Sequence, residues 1–391
     1  MSKFVYDQDL NSFRESYRVW LSNRNYFYQY VISKQIGRSL SIQFTNYIKK
    51  ENGSQEFRLI VGEDRNEEGK FLVHYSFDYS ESSYIEAKED EGKKFKVIEE
   101  LRFGEEIQRA RHRPSDSNKI AAMDGDGLIH LFNLGGNNTQ KQILKGHTKE
   151  GYGISWNSRQ DNLLVSCAYD NNICIWDTNQ TDSQISPLYT FKDRLDSLED
   201  IQWNPFDKNV FGCVGDDKKL GLYDIRQKKC TSCITAHSNE VNCLSFQPHY
   251  ENYLLTSSSD QQIALWDIRK MGERMHTFLG HSGQIYRIDW SPLLKDVFAS
   301  ADDKNKIILW DTSKIGDEQI GRDADIGPPE LIFKHVGNRD EIRDFCWSPY
   351  IKWMIAAVDD NFCLQVWKID PDTILENLDD LFISVFDELK K

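Results

Sequence analysis

A repeated spacing between a histidine and a Trp-Asp pair constrains this sequence more than any other feature. His147, His237 and His281 each stand 29 positions ahead of a tryptophan that aspartate follows, at Trp176, Trp266 and Trp310. An aromatic residue also falls nine positions after each histidine, at Trp156, Phe246 and Trp290. Matching skeletons of this kind indicate a chain built from repeated units that pack against one another.

A period of roughly 40 to 45 residues that ends in Trp-Asp is typical of the WD40 β-propeller, in which each unit forms one four-stranded blade. The same spacing finds degenerate units that end at Phe132, Tyr223 and Trp367. Strand-like runs between Leu40 and Tyr75 add a first, weakly marked blade. We therefore predict an all-β fold, a seven-bladed WD40 propeller with an N-terminal helix and a C-terminal helix.

Apolar residues at helical spacing flank the repeats on both sides. They predict one helix near Asn11 to Ile32 and another from Ile374 to Leu389. The predicted organisation is a helix and lead-in packed on the propeller over 1–36, the propeller over 37–370, and a C-terminal helix over 371–391. Within the propeller we expect an acidic surface loop over 78–94 and an insertion over 312–333 that contains Pro328 and Pro329.

In WD40 proteins, a hydrogen-bond chain within a blade joins the His, a Ser or Thr, the Trp and an Asp six positions before the Trp. Asp170, Asp217 and Asp260 stand at that position. The last two units carry Lys304 and Asn361 there, so we expect those blades to lack the full network. Because the His and Asp pair repeats from blade to blade, a structural role is favoured over a catalytic one.

Composition narrows the classes of function. A formal net charge of −14 argues against nucleic acid and for basic partners. We find no signal-peptide core and no apolar window of roughly 18 residues, so neither secretion nor membrane spanning is expected. The eight cysteines lack a framework spacing, which favours a reducing compartment, and we interpret Cys230 and Cys233 as strand residues. The absence of catalytic, phosphate-binding and metal motifs predicts a protein that is not an enzyme and has no cofactor or metal.

Three stretches resemble one WD40 family, the histone-binding retinoblastoma-associated proteins. They are Tyr17 to Tyr28, Lys149 to Trp156, and Asp311 to Gln319 leading into Gly327 to Leu331. Members serve as small subunits of chromatin assembly factor, of nuclear-type histone acetyltransferase, and of Polycomb and deacetylase complexes. The resemblance implies a non-enzymatic scaffold that binds histones H3 and H4, or Arg/Lys-rich peptides, in the nucleus, with the cytoplasm as a second location.

The resemblance also implies a side groove that holds the first helix of histone H4 between the N-terminal helix and the Pro-Pro loop. The matching positions are Tyr26, Phe27, Tyr30, Asp323, Asp325, Leu331 and Ile332. An amphipathic basic helix needs such an apolar groove with carboxylates at its rim. Ile326 stands where the family usually has another Asp, and Gly37-Arg38 replaces part of a Trp-Pro run.

A second site implied by the resemblance is the face around the central channel, where the family binds the histone H3 tail or a basic peptide. The matching positions are Glu106, Arg109, Glu150, Tyr152, Glu199, Glu240, Tyr286 and Asp360. Gln284 departs from the usual Glu. The alternative is that these glutamates are ordinary solvated loop charges.

Two further interpretations stay open at the level of sequence. Other subunits of chromatin complexes are expected partners, whereas direct nucleic-acid and membrane contacts are not. The alternative function is a WD40 interaction scaffold with a non-histone client, such as a ribosome-assembly or import factor.

Overall fold

Seven separate β-sheets follow one another along the chain. The computed structural model describes residues 28–50, 53–80, 94–136, 142–319 and 327–370, and the sheets lie within these ranges. The innermost strand of each sheet contacts the innermost strands of the two neighbouring sheets, and the last contacts the first. This cyclic order confirms the predicted seven-bladed WD40 propeller.

The first strand, β1 (Tyr28–Gln35), belongs to the last blade. Blade 1 contains β2 (Ile42–Lys49), β3 (Gln55–Asp64), β4 (Lys70–Tyr79) and β5 (Phe95–Phe103). Blade 2 contains β6 (Ile107–Arg113), β7 (Asp116–Asp124), β8 (Ile129–Asn133) and β9 (Gln142–Leu144). Blade 3 contains β10 (Gly153–Trp156), β11 (Leu163–Cys167), β12 (Ile173–Asp177) and β14 (Tyr189–Phe191), while β13 (Gln184–Ile185) pairs in parallel with β9 of blade 2.

Blade 4 contains β15 (Leu198–Trp203), β16 (Val210–Gly215), β17 (Lys219–Asp224) and β18 (Lys229–Thr235). Blade 5 contains β19 (Val241–Phe246), β20 (Tyr253–Ser258), β21 (Ile263–Asp267) and β22 (His276–Phe278). Blade 6 contains β23 (Ile285–Trp290), β24 (Val297–Asp302), β25 (Ile307–Asp311) and β26 (Leu331–His335). Blade 7 contains β27 (Ile342–Trp347), β28 (Met354–Asp359) and β29 (Cys363–Ile369), and β1 completes it.

Two 3-10 turns, Asn66–Glu68 and Thr312–Lys314, are the helical elements of the described ranges. No helix in those ranges is long and apolar enough to cross a membrane.

The predicted N-terminal helix is wrong over Tyr28 to Ile32, because β1 pairs antiparallel with β29 there. Tyr28, Tyr30 and Ile32 alternate into the core with a period of two, so the same aromatic run also fits a strand. The propeller therefore includes Tyr28–Gln35, which precede its predicted start at 37. The rest of that helix and all of 371–391 lie outside the described residues.

Two predicted loops are shorter than expected where the structure describes them. Asp78 and Tyr79 end β4, and residues 81–93 lie outside the described ranges. At the other insertion, Leu331 to Phe333 belong to β26, because the fourth strand of blade 6 pairs with β25 from Leu331 onward.

The core is shared between neighbouring blades. The terminal tryptophans Trp176, Trp310 and Trp367 are fully buried. Trp310 lies nearly parallel to Phe298, with ring centroids 6.0 Å apart and an interplanar angle of 13°. Each flat side chain thus fills the space between two twisted sheets, which explains why the aromatic spacing repeats.

The hydrogen-bond chain expected in WD40 blades is present in blades 3 and 5. In blade 3, His147 contacts Asp170 at 3.1 Å and Ser166 at 2.7 Å, and the Trp176 indole donates to Ser166 at 2.8 Å. His237, Asp260, Thr256 and Trp266 repeat the arrangement in blade 5. In blade 4, Arg194 replaces the histidine and forms an ion pair with Asp217.

The prediction that blade 6 lacks this network is wrong. Asp302, eight positions before Trp310, accepts from His281 at 2.8 Å, and His281 and Trp310 both contact Ser300. The Asp302 carboxylate also accepts from the backbone of Lys304 and Lys306, so it caps the turn from the start of the hairpin. In blade 7, Asn338 donates to Asp359 at 3.3 Å, but the Trp367 indole N–H has no hydrogen-bond partner among the described residues.

We expect Asp302→Ala to lower the free energy of unfolding by about 2–3 kcal/mol, because it leaves buried donors of His281 and the turn unpaired. Lys304→Ala is the matched control at the position where the sequence pattern places the aspartate, and its expected cost is below about 0.5 kcal/mol. Urea unfolding monitored by tryptophan fluorescence measures both. Equal stabilities of the two variants would contradict this assignment.

Candidate functional site: the acidic channel face

The predicted glutamates share one backbone position at the face. Glu106, Glu150 and Glu240 lie just before the innermost strands of blades 2, 3 and 5, which begin at Ile107, Gly153 and Val241. The carbonyl of each accepts a hydrogen bond from the turn between the second and third strands of its own blade, from Gly125, Tyr169 and Ser259 respectively. The repeated bond fixes all three residues on the same side of the ring.

The predicted Tyr152, Glu199 and Tyr286 come two positions later in the repeat. Tyr169, which was not predicted, lies beside the first two. Tyr152 and Tyr169 lie with ring centroids 5.6 Å apart. The Tyr169 hydroxyl donates to the Glu199 carboxylate at 3.2 Å. Burial raises the pKa of Tyr152 to about 12, and the charges of Glu150, Glu199 and Glu106 add to the effect. The structure thus brings these predicted residues into one electrostatic neighbourhood.

The carboxylates of the face are crowded and only partly hydrated. Burial raises the pKa of Glu199 to about 8, with a further contribution from Asp216, although the bond from Tyr169 opposes it. Burial also raises the pKa values of Glu106 and Asp216, and nearby carboxylates, Glu150 and Glu240 among them, add to it. A cation bound at this face would reduce the repulsion among the carboxylates and would favour their ionised forms.

The structure adds to the face two acidic residues that the sequence analysis missed, Glu341 and Asp303. Glu341 stands three positions after Asn338, as Glu240 does after His237, so the repeat itself carried the signal. Asp303 accepts from the backbone N–H of Gln284 at 3.0 Å and supplies a carboxylate where Gln284 does not. Tyr286, which is predicted, has its pKa raised by burial and then by Asp303 and Glu341.

Two predicted residues are already paired. Asp360 forms an ion pair with Arg343, which also contacts Glu341 at 3.0 Å. Arg109 is 8% exposed, and its guanidinium donates to the Tyr152 carbonyl at 2.9 Å and pairs with Asp344 at 2.9 Å. The structure therefore places Arg109 below the face, in the channel.

Asp344 is the centre of a buried ion network across the channel. Arg111 lies 3.3 Å and Arg287 3.2 Å from its carboxylate, in addition to Arg109. The backbone N–H of Ile42 donates to it at 3.0 Å. Because these partners come from blades 1, 2 and 6, the carboxylate of blade 7 ties four blades together. The three arginines hold its pKa below the usual range against the effect of burial.

The predicted H4 groove is only partly within the described residues. Tyr26, Phe27, Asp323 and Asp325 lie outside them. Tyr30 is buried in β1, where its ring packs on Phe77 and Tyr79 and its hydroxyl donates to the Asp78 carbonyl. This residue belongs to the core and is not available as a groove wall.

β1 and β26, the strands next to the two predicted walls of the H4 groove, are neighbours. Tyr28 at the start of β1 meets Phe333 of β26 edge to face, with centroids 5.7 Å apart. Its hydroxyl lies 2.6 Å from Nδ1 of His335. Leu331 and Ile332 are partly buried at the start of β26 and pack against the cores of blades 6 and 7. The start of β1 and the start of β26 therefore lie close to each other.

Among the residues with assigned positions, no group of three or more His, Cys, Asp or Glu side chains is arranged to hold a metal ion. All eight cysteines are free thiols, and Cys230 and Cys233 lie in β18.

Comparison with known proteins agrees with this architecture. The family model for the WD domain, G-beta repeat, matches residues 138–177, 228–267 and 272–311. The chain is also similar to a protein of Candida albicans named histone acetyltransferase type B subunit 2. The two are 38% identical over 384 residues, which cover 96% of this chain and 98% of the relative.

We expect Asp344→Asn to lower the free energy of unfolding by about 3–5 kcal/mol, because it leaves three buried guanidinium groups without their shared anion. Glu240→Gln removes one negative charge from the face and should change stability by less than about 0.5 kcal/mol. Chemical unfolding of the two variants tests the difference. A small effect of Asp344→Asn would show that the channel network does not hold the blades.

A second prediction concerns acid stability near the groove strands. Burial lowers the pKa of His335 to about 3, and its neutral ring joins Tyr28 and Gln365. The unfolded chain binds this proton below about pH 6.5, so the stabilisation is complete above that pH and is lost as the pH falls toward 3. Between pH 7 and pH 5 the loss is about 2 kcal/mol.

The measurement is the free energy of unfolding at pH 7 and pH 5 for the natural protein and for His335→Gln. The variant should be less stable at pH 7 but should lose less stability on acidification. An unchanged difference between the two pH values would mean that His335 is not the responsible group.

Proposed function

The chain belongs to the family of WD40 proteins that includes histone acetyltransferase type B subunit 2, and from this membership we propose that it is a non-enzymatic scaffold subunit that binds histones H3 and H4. It would serve a nuclear complex that assembles or modifies chromatin. The proposal rests on one observation above all, which is the set of crowded carboxylates on the channel face.

The chemistry of that face suits a flexible basic peptide. Glu150 and Glu240 present negative charge at one mouth of the channel, and a bound cation would favour the ionised form of Glu199, whose pKa burial raises to about 8. Tyr152 and Tyr286 provide flat surfaces for the stems of lysine or arginine. The histone H3 tail offers closely spaced cations of this kind. Their binding would replace repulsion among the carboxylates with charge-assisted hydrogen bonds. Screening by salt should weaken such a complex.

Histone H4 is proposed to bind at the side groove. β26 would supply the apolar base through Ile332 and Phe333, and the two carboxylates of Asp323 and Asp325 would pair with arginines of the histone helix. The similarity to a histone acetyltransferase subunit favours a histone-directed role over a ribosome-assembly or import client.

We predict that changing Glu150 and Glu199 together to Gln weakens binding of an H3 tail peptide about tenfold at low salt, because two carboxylates of the face are neutralised. The control changes Glu251 and Glu273, two exposed glutamates outside the proposed sites, to Gln, which removes two carboxylates and at least as much negative charge. Fluorescence anisotropy with a labelled H3 tail peptide measures both. If the two double variants weakened binding equally, the effect would come from net charge alone, and the channel face would not be the binding site.

The same variants separate the two histone surfaces. Changing Asp323 and Asp325 to Lys should weaken capture of an H4 first-helix peptide and leave the H3 tail peptide unaffected. A natural protein that captured neither histone peptide at low salt would contradict the proposed function as a whole.

A further inference from the structure

Two of the free thiols, Cys230 and Cys233, share one face of β18, the outermost strand of blade 4. In a regular strand, residues three positions apart point to opposite faces of the sheet. A bulge changes this, because Thr231 is an extra residue in the pairing with β17. Cys230 is thereby opposite Tyr223 and Cys233 opposite Gly221, and these two partners are two positions apart. The two cysteine side chains consequently extend from the same face of the strand.

The lack of a side chain at Gly221 brings the two sulfur atoms together. A Cβ at that position would lie 3.4 Å from Sγ of Cys230, so this sulfur occupies the space above Gly221. Residues directly opposite one another on paired strands have their Cβ atoms about 4.5–5.5 Å apart, so the Cys233 side chain borders the same space. Larger side chains, Cys174 and Ile308, hold the equivalent positions of blades 3 and 6. The contact between the two thiols is therefore a feature of blade 4.

The two thiols differ in acidity. The Cys230 thiol donates a hydrogen bond to the Cys233 sulfur, which lowers the pKa of Cys233 to about 6. Arg194 and Lys219 act in the same direction, whereas burial and Asp217 oppose them. The bond with Cys233 and then burial raise the pKa of Cys230, so Cys230 keeps its proton. Cys233 is therefore a thiolate at neutral pH, and it is exposed to solvent.

The other six cysteines lack this combination of exposure and a thiol neighbour. Cys363 is half-buried, and burial raises its pKa to about 12, while the remaining five are buried: Cys167, Cys174, Cys213, Cys243 and Cys346. Within the described ranges no third His, Cys, Asp or Glu joins Cys230 and Cys233 in a group that could hold a metal ion, and a structural zinc site takes four ligands. The chemistry open to the pair is that of a thiolate beside a protonated thiol.

We propose that Cys230 and Cys233 are a redox-active dithiol that a hydroperoxide oxidises to a reversible disulfide. An accessible thiolate with a second thiol in contact is the arrangement on which such oxidation depends. The proposal is independent of histone binding, because β18 carries no residue of the proposed histone surfaces.

The reaction has two steps. The Cys233 thiolate attacks one oxygen of hydrogen peroxide, the O–O bond breaks, and hydroxide leaves, which gives a sulfenic acid at Cys233. The Cys230 sulfur then attacks the Cys233 sulfur, the S–O bond breaks, and the hydroxyl group leaves as water with the proton of Cys230. The two thiols lose two electrons in total, and one hydrogen peroxide becomes two waters. An external dithiol reverses the oxidation by thiol–disulfide exchange.

The test treats the full-length protein at pH 7 with a small molar excess of hydrogen peroxide, followed by denaturation in N-ethylmaleimide and digestion with trypsin. Peptide 230–269 contains three cysteines, of which the buried Cys243 serves as the internal control. Mass spectrometry should show one maleimide, on Cys243, and the loss of two hydrogens. Dithiothreitol should restore all three labels. Three labels without dithiothreitol, or a sulfinic acid at Cys233 in place of the disulfide, would overturn the proposal.

Two variants separate the roles of the thiols. Cys230→Ser should stop at the sulfenic acid of Cys233, which dimedone traps, and Cys233→Ser should react with peroxide about tenfold more slowly, because Cys230 keeps its proton. In Cys230→Ser the dimedone adduct should exceed that of the natural protein about tenfold. In the natural protein, labelling of Cys233 by iodoacetamide should be half-maximal near pH 6. Equal dimedone labelling of the two proteins, or a midpoint near the ordinary thiol pKa of about 8.5, would contradict the assignment.

Discussion

The ring depends on the pairing of β1 with β29. This ladder joins Tyr28 to Ile369 and Gln35 to Cys363, so the first described strand completes the blade that the end of the chain begins. β29 is thereby paired on both sides, β1 forms the outer edge of blade 7, and the first and last strands of the propeller hold each other in place. Contacts of this sequence separation form late in folding, because the chain between them must first be ordered. Tyr28 at the start of this ladder also contacts Phe333 and His335 of β26.

The blade number follows from the sequence because packing enforces it. A tryptophan or its replacement must reach the space between two sheets at the same point in each unit, which preserves the spacing even at Phe132 and Tyr223. The hydrogen-bond network is less strictly placed. A carboxylate can reach the histidine from more than one position of the same hairpin turn. The sequence pattern tests only the position of Lys304 and therefore does not predict the role of Asp302.

Other features needed the structure. The aromatic residues of β1 fit a helical as well as a strand period, and pairing with β29 decides between them. The family resemblance implies a place for Arg109 on the face, but its side chain, next to the bulge between Ile107 and Arg109, pairs with Asp344 in the channel. The partly buried state of Glu199 and the ion pair of Asp360 are likewise set by residues distant in sequence.

The charged side chains inside the channel differ from those at its mouth. Inside the channel, three arginines surround Asp344, and Arg287 also lies 3.6 Å from Asp200, whereas at the mouth the carboxylates have few cationic partners. The acidic face is therefore a property of the folded ring and not only of the net charge of −14. A crystal structure of the protein with an H3 tail peptide tests this account most directly. It should show lysine or arginine side chains within ion-pair distance of Glu150, Glu199 and Glu240, and a peptide bound away from the channel mouth would contradict it.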